Sequence, residues 1–264
     1  MAQIDDPRYL QKLEKQLTGW DDPPGRLMQA LERDELELFA QPIVELIEAQ
    51  PIAMAEVLVR LREEEQALLP PGMFLPVFEY CGMMHELDRW VARHVIARLA
   101  RGSRVPRFTI NISAQTLGDA DFMPDIAAAL ESAKVPPAAL AFEISEADML
   151  LRPSAAKQFA AAARKLGVAL ILESFGRSAA SFQPLRAMGV TYVKIDGVIV
   201  RELAASQVAR NKLEAIVRIG EATGIGLIGE CVETREALEE LKAKGVRYAQ
   251  GFGIAAPSRI DDVA

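Results

Sequence analysis

The chain has 264 residues, half of them hydrophobic, and a formal net charge of −7. That length suits one large domain, or one with a small appendage, able to bury a core without disulfide or metal staples. The acidic balance argues against nonspecific binding to a nucleic-acid polymer or an anionic membrane, though not against a small phosphorylated ligand held by one or two placed cations.

In chain order, "PRYLQKLEKQL" places Leu10, Leu13 and Leu17 at helical spacing, and "DDPPG" then reads as a break. This first helix is either an amphipathic cap on the main domain or the end of a signalling helix from a longer parent. The expected division is residues 1–25 as N-terminal helix and linker and 26–264 as one domain. A helix "GRLMQALERDE" follows the break, and from Leu36 strands alternate with helices. The strand-like runs are "LELFAQPIVEL", "IAMAEVLVRL", "RFTINIS", "LAFEIS", "VALILES", "TYVKID", "IGLIGECVE" and "RYAQGF". Helical stretches such as "ELDRWVARHVIARLA", "MPDIAAALESA", "AKQFAAAARKLG" and "NKLEAIVRIGEATG" separate most of them. This alternation predicts an α/β fold of the (β/α)8 barrel type. The short "IEAQP" between the first two strands leaves no room for a helix, so a hairpin and one antiparallel strand are expected.

A barrel of this type carries its functional groups at the C-terminal ends of its strands. Polar residues stand at those ends: Glu56 with Arg60, Asn111, Glu143 with Glu146, Glu173, Lys194 with Asp196, Glu230 with Glu233, and Gln250. Any one of them alone reads as a solvated strand end. Several carboxylates and an amide converging on one mouth would repel each other unless a hard divalent cation neutralised them. The lysine and arginine suit a phosphate. Magnesium-assisted phosphodiester chemistry is the reaction class that uses such a set.

"AEVLVRL" resembles the signature Glu-Ala-Leu segment of the EAL-domain family, the cyclic di-GMP phosphodiesterases, with Val57 in the alanine position. "NIS", "FEISE", "VKID", "IGECVET" and "QGF" follow in the family's order, and the likeness runs from about Arg26 to Asp262. The resemblance implies a modified TIM-type barrel with an antiparallel first strand. It also implies that Glu56, Asn111, Glu143 and Glu173 hold Mg²⁺ or Mn²⁺, if any metal is bound. Lys194 would lie beside the attacking water, with Glu230 and Glu233 completing the catalytic set. Gln41, Leu58, Arg60 and Gln250 would touch the ligand, and Glu146 would anchor the loop after "VALILES".

Active members carry Asp-Asp-Phe-Gly-Thr-Gly where this chain has Glu173-Ser174-Phe175-Gly176-Arg177-Ser178. Glu173 keeps the charge on a longer arm, Ser174 removes one, and Ser178 replaces a glycine. The resemblance is therefore to degenerate members, which bind cyclic di-GMP without cleaving it and signal to a protein partner. An active metal-dependent phosphodiesterase and a pure protein-interaction scaffold are the alternatives. Pairing into a homodimer near "VALILES" and "TYVKID" is a further implication.

Other signals are weaker. Cys81 and Cys231 lack a Cys-x-x-Cys partner and are expected as buried thiols in a reducing compartment. No run of membrane length and no signal-peptide pattern occurs, so the chain is read as cytoplasmic without a membrane span. His85 and His94 fall on opposite helix faces, which disfavours a shared zinc. "EEEQ" reads as a solvated loop, and "GFGIAAP" lacks the spacing of a dinucleotide-binding fingerprint.

Overall fold

The computed structural model describes residues 20–46, 52–62, 68–177, 185 and 188–264. The Leu10–Leu13–Leu17 pattern, the "IEAQP" connection, "EEEQ" and Ser178 lie outside the described residues. The first described helix, α1 (Pro23–Glu32), starts inside the stretch read as a break. Asp22 caps it by accepting from the Gly25 N–H at 3.2 Å, and Pro23 occupies the first helical position, where no amide donor is needed.

Eight strands close into a ring: β1 (Leu36–Glu45), β2 (Met54–Arg62), β4 (Phe108–Asn111), β5 (Leu140–Ser145), β6 (Ala169–Phe175), β7 (Tyr192–Ile195), β8 (Gly226–Gly229) and β9 (Tyr248–Ala249). Two short edge strands, β3 (Leu68–Leu69) and β10 (Ser258–Arg259), extend it and were not foreseen. From β2 to β9 the ring strands run parallel, whereas β1 is antiparallel to both its neighbours, β2 and β9. The expected hairpin is present, with Leu36 opposite Leu61 and Ile43 opposite Met54.

Side-chain alternation sorts every strand into two faces. Outward residues such as Val57, Val59, Ile110, Phe142, Leu172, Val193 and Leu227 join the main core under the surrounding helices. Those helices include α2 (Pro71–Tyr80), α3 (Met84–Leu99), α5 (Phe122–Ala133), α7 (Pro153–Leu166) and α9 (Gln207–Thr223). Inward residues form a second core cluster inside the barrel, made of Ile43, Met54, Ala141, Ile171, Ile228 and Tyr248, with Tyr192 packed against it. This apolar plug, together with the buried Thr109, closes the barrel floor.

One step further toward the C-terminal end, the inward face turns polar on every strand. Met54 is followed at i+2 by Glu56, Thr109 by Asn111, Ala141 by Glu143 and Ile171 by Glu173. Tyr192 gives way to Lys194, Ile228 to Glu230 and Tyr248 to Gln250. On the reversed β1 the same step is i−2, from Ile43 to Gln41. Each of the eight strands thus contributes one polar side chain to a single layer.

Strand ends are set by capping residues two positions beyond the polar layer. Ser113 after Asn111, Ser145 after Glu143 and Asp196 after Lys194 each accept a backbone N–H of the next turn, from Thr116, Asp148 and Val198. They start three short helices not foreseen from the periodicity: α4 (Ala114–Leu117), α6 (Glu146–Leu151) and α8 (Gly197–Glu202). Helices of four to six residues, one or two turns, are too short for a 3.6-residue pattern to show. Helix α10 (Arg235–Ala243) and the closing α11 (Ile260–Val263) complete the order. Among the described residues no helix is long and apolar enough to cross a membrane. Among the described residues Cys81 and Cys231 are not joined in a disulfide, and both are half-buried rather than fully buried as expected.

Candidate active site at the barrel mouth

Lys194 is the centre of the polar layer. It is 1% exposed, and its Nζ lies 2.6 Å from Glu56 Oε2, 2.5 Å from Glu143 Oε2 and 3.7 Å from Glu173 Oε1. Burial opposes its charge, yet Glu143, Glu56, Glu173 and Glu230 around it hold the ammonium well above the ordinary lysine range. Glu56 is the best satisfied carboxylate. Burial works against its ionisation, but Lys194 beside it and hydrogen bonds from Lys194, Asn111 and Gln250 bring it below the usual carboxylate value.

The other acids are held differently. Burial pushes Glu143 well above the carboxylate range against the pull of Lys194, and Glu56 and Glu173 reinforce the rise. Glu173 is also raised by burial, against the pull of Lys194. Glu230 accepts the Gly197 N–H at 3.0 Å, and burial pushes it up to about 7. Lys194 offsets the charge of Glu56, and burial holds the remaining carboxyls toward their neutral forms.

Gln250 bridges the closing strands: its Nε2 donates to Gln41 Oε1 at 3.1 Å and to Glu56 Oε2 at 2.7 Å. Gln41 donates in turn to the Ala255 carbonyl at 3.0 Å. Gly251 after it has no room for a side chain, since a Cβ would lie 2.2 Å from Val232 N and O. The turn 251–253 is thereby pressed onto the segment carrying Glu230 and Glu233.

Above Glu56 on β2, Leu58 and Arg60 share its inward face and climb to the rim. Arg60 donates to the Val59 carbonyl at 2.8 Å and lies 5.3 Å from the Phe39 ring centre. Leu58 and Asn111 border a largely apolar cavity of about 140 Å³ between β2 and helices α2 and α3. Glu233 stands apart from the inner cluster, half exposed at the rim and 4.0 Å from Arg201. Glu146 is buried at the start of α6.

The same cavity holds a residue that the sequence reading passed over. Asp88 accepts from the Ser113 N–H at 2.8 Å and the Thr116 hydroxyl at 2.7 Å, so it ties α3 to the segment just beyond Asn111. Burial raises its carboxyl to about 6 in spite of those bonds. A signal was available: in "MHELDRWV" the residues Met84, Leu87, Asp88 and Val91 follow helical core spacing, and an aspartate occupies a core position.

One oxygen from each of Glu56, Glu143 and Glu173 lies within 4.8 Å of the others, and hard oxygen donors of this kind suit Mg²⁺ or Mn²⁺. Such an ion would take over the charge compensation now given by Lys194. The next residue, Ser174, offers a hydroxyl and no charge, and its backbone adopts φ 54°, a left-handed conformation unusual for serine.

The family model described as "EAL domain" matches residues 25–257. Among curated proteins, the cyclic di-GMP phosphodiesterase PdeB of Shewanella oneidensis is 32% identical over 250 residues, covering 92% of this chain and 29% of that protein. The cyclic di-GMP phosphodiesterase PdeF of Escherichia coli is 28% identical and covers 90% of this chain and 32% of its own length. The chain thus spans under a third of these relatives. The solved EAL domain of FimX from Pseudomonas aeruginosa bound to c-di-GMP superposes with a TM-score of 0.86 at 30% identity, covering 92% of this chain and 99% of that one. The PaMucR phosphodiesterase in its c-di-GMP complex gives 0.82 at 26% identity, with the same coverage.

Proposed function

The chain belongs to the EAL-domain family, and from that premise we propose that it is a cytoplasmic receptor for cyclic di-GMP that has lost hydrolytic capacity and hands the signal to a protein partner. The carrying observation is the end of β6. Glu173 stands 3.7 Å from the Lys194 ammonium, and Ser174 supplies no carboxylate where the family pattern has a second aspartate. The remaining surface suits a nucleotide: Gln41 and Gln250 at the floor, Leu58 beside an apolar cavity, and Arg60 at the rim for a phosphate. The FimX domain, solved with c-di-GMP, supports the ligand class.

In this reading Glu56, Asn111, Glu143 and Glu173 would hold one divalent ion. Such an ion supplies Lewis-acid polarisation of a phosphoryl oxygen. Lys194 neutralises the floor, Glu230 holds a proton near neutral pH, and Glu146 supports the loop after β6. The titration of Glu230 at about 7 and the names of the curated relatives favour the second reading, an active phosphodiesterase.

Calorimetry with cyclic di-GMP in EDTA and in Mg²⁺, with a hydrolysis assay in Mg²⁺ and in Mn²⁺, separates the readings. Binding without appearance of the linear dinucleotide is expected. Turnover on the order of 1 per second would establish the enzyme instead. Absence of binding would leave a protein-interaction scaffold.

A further inference from the structure

Arg177, like Arg60, is a mouth cation that the carboxylate cluster leaves unused. It ends the turn 174–177, in which its N–H faces the Ser174 carbonyl at 3.4 Å. Gly176, at φ 88°, packs that turn against α8 and α9, where a Cβ would meet Ile199 Cδ1 at 3.0 Å and Ile216 Cδ1 at 2.9 Å. The turn is thus seated on the barrel wall and presents the arginine at the rim, its side chain 71% exposed.

Its acidic neighbour holds it weakly. Asp196 Oδ2 lies 3.9 Å from Arg177 Nε, while the same carboxylate caps α8 through the Val198 N–H at 2.9 Å. An ion pair so long and so exposed contributes little. A planar guanidinium with that much freedom can turn toward an arriving anion and bind it through two parallel N–H donors.

Position in the ring gives the arginine a complement. Going round from β2 through β4 and β5, the strand carrying Arg177 is β6, so Arg60 and Arg177 flank the mouth from different sides. Lys194 between them is consumed by carboxylates. A cyclic dinucleotide carries two phosphates on opposite sides of its ring. We propose that Arg177 binds the second phosphate, with Arg60 at the first. The guanidinium then supplies the positive charge that Ser174, lacking a carboxylate, cannot recruit as a second metal ion. Ligand binding by this chain is accordingly independent of divalent metal. The inference rests on the receptor reading and deepens it.

The test is calorimetry with cyclic di-GMP in EDTA on the parent, Arg177→Ala, Arg177→Lys and, as a control of equal charge change at the same rim, Arg201→Ala. Losing a charge-assisted bond to phosphate is expected to weaken binding about 10- to 100-fold in Arg177→Ala. Arg177→Lys should recover part of it, and Arg201→Ala should bind like the parent. Thermal unfolding of each variant verifies the fold, which an exposed side chain should leave intact. Parent binding with unaltered affinity in Arg177→Ala overturns the inference alone. So does an equal loss in Arg201→Ala, which would mean diffuse electrostatics, or a parent that binds only with Mg²⁺. A parent that binds in neither buffer overturns the receptor reading as well.

Discussion

With its ammonium 2.6 Å from Glu56 and 2.5 Å from Glu143, Lys194 compensates charges that have almost no access to water. Replacing it with methionine strands those carboxylates, and the expected loss is about 3–5 kcal/mol in urea unfolding at neutral pH. Glu56 sets the sign with pH. Its carboxyl is depressed in the fold, so the stability it contributes is present above 4.5 and fades as pH falls below that value. The gap between parent and Lys194→Met should therefore narrow in acid. Asp88 behaves oppositely. Its pKa rises from 3.8 to about 6, so the folded chain keeps a proton that the unfolded chain releases. The benefit is complete below 3.8 and lost as pH rises through 6. Asp88→Asn, which does not titrate, should gain on the parent by about 3 kcal/mol at most between pH 4 and pH 7.5. A constant difference across that range would show that Asp88 does not hold the proton.

At the scale of elements, the short helices around the mouth depend on single caps. Ser145→Ala removes the acceptor of the Asp148 N–H and should cost about 1 kcal/mol, read from the denaturation midpoint. Gly251→Ala should cost more, because the new Cβ meets backbone atoms of Val232 that cannot rotate away. The barrel was legible in the sequence because long helices and apolar strands each repeat their own period. The polar layer was legible too, since Glu56, Asn111, Glu143, Glu173, Lys194, Glu230 and Gln250 all follow apolar runs. What the sequence did not carry is contact. Nothing in "FEIS" or "VALILES" says that Glu143 and Glu173 both face the Lys194 ammonium, since that follows from strand adjacency in the ring. Glu233 reads like a neighbour of Glu230 but stands at the rim beside Arg201, because β8 ends at Gly229 and the chain turns outward. The Asp22–Pro23 cap was hidden because a proline pair both stops one helix and starts another.

For the molecule as a whole, ligand binding and stability are one equilibrium. If cyclic di-GMP binds the folded chain alone, a hundredfold excess over Kd adds about 2.7 kcal/mol, or roughly 5–10 °C in Tm. No shift at such an excess would contradict the receptor reading. The reversed strand adds a condition of timing. β1 is the first ring strand to be made and finds β2 at once, but its other edge waits for β9, and Gln41 meets Gln250 across 209 positions of chain. During translation, then, the emerging polypeptide has helices and most of the sheet long before it has a finished floor under the mouth. A chain stopped at Ala243 would present β1 as an open template to its neighbours on the polysome, and should aggregate rather than bind nucleotide. The mouth is thus completed only once β9 has been made, so that a copy lacking that strand has no finished site.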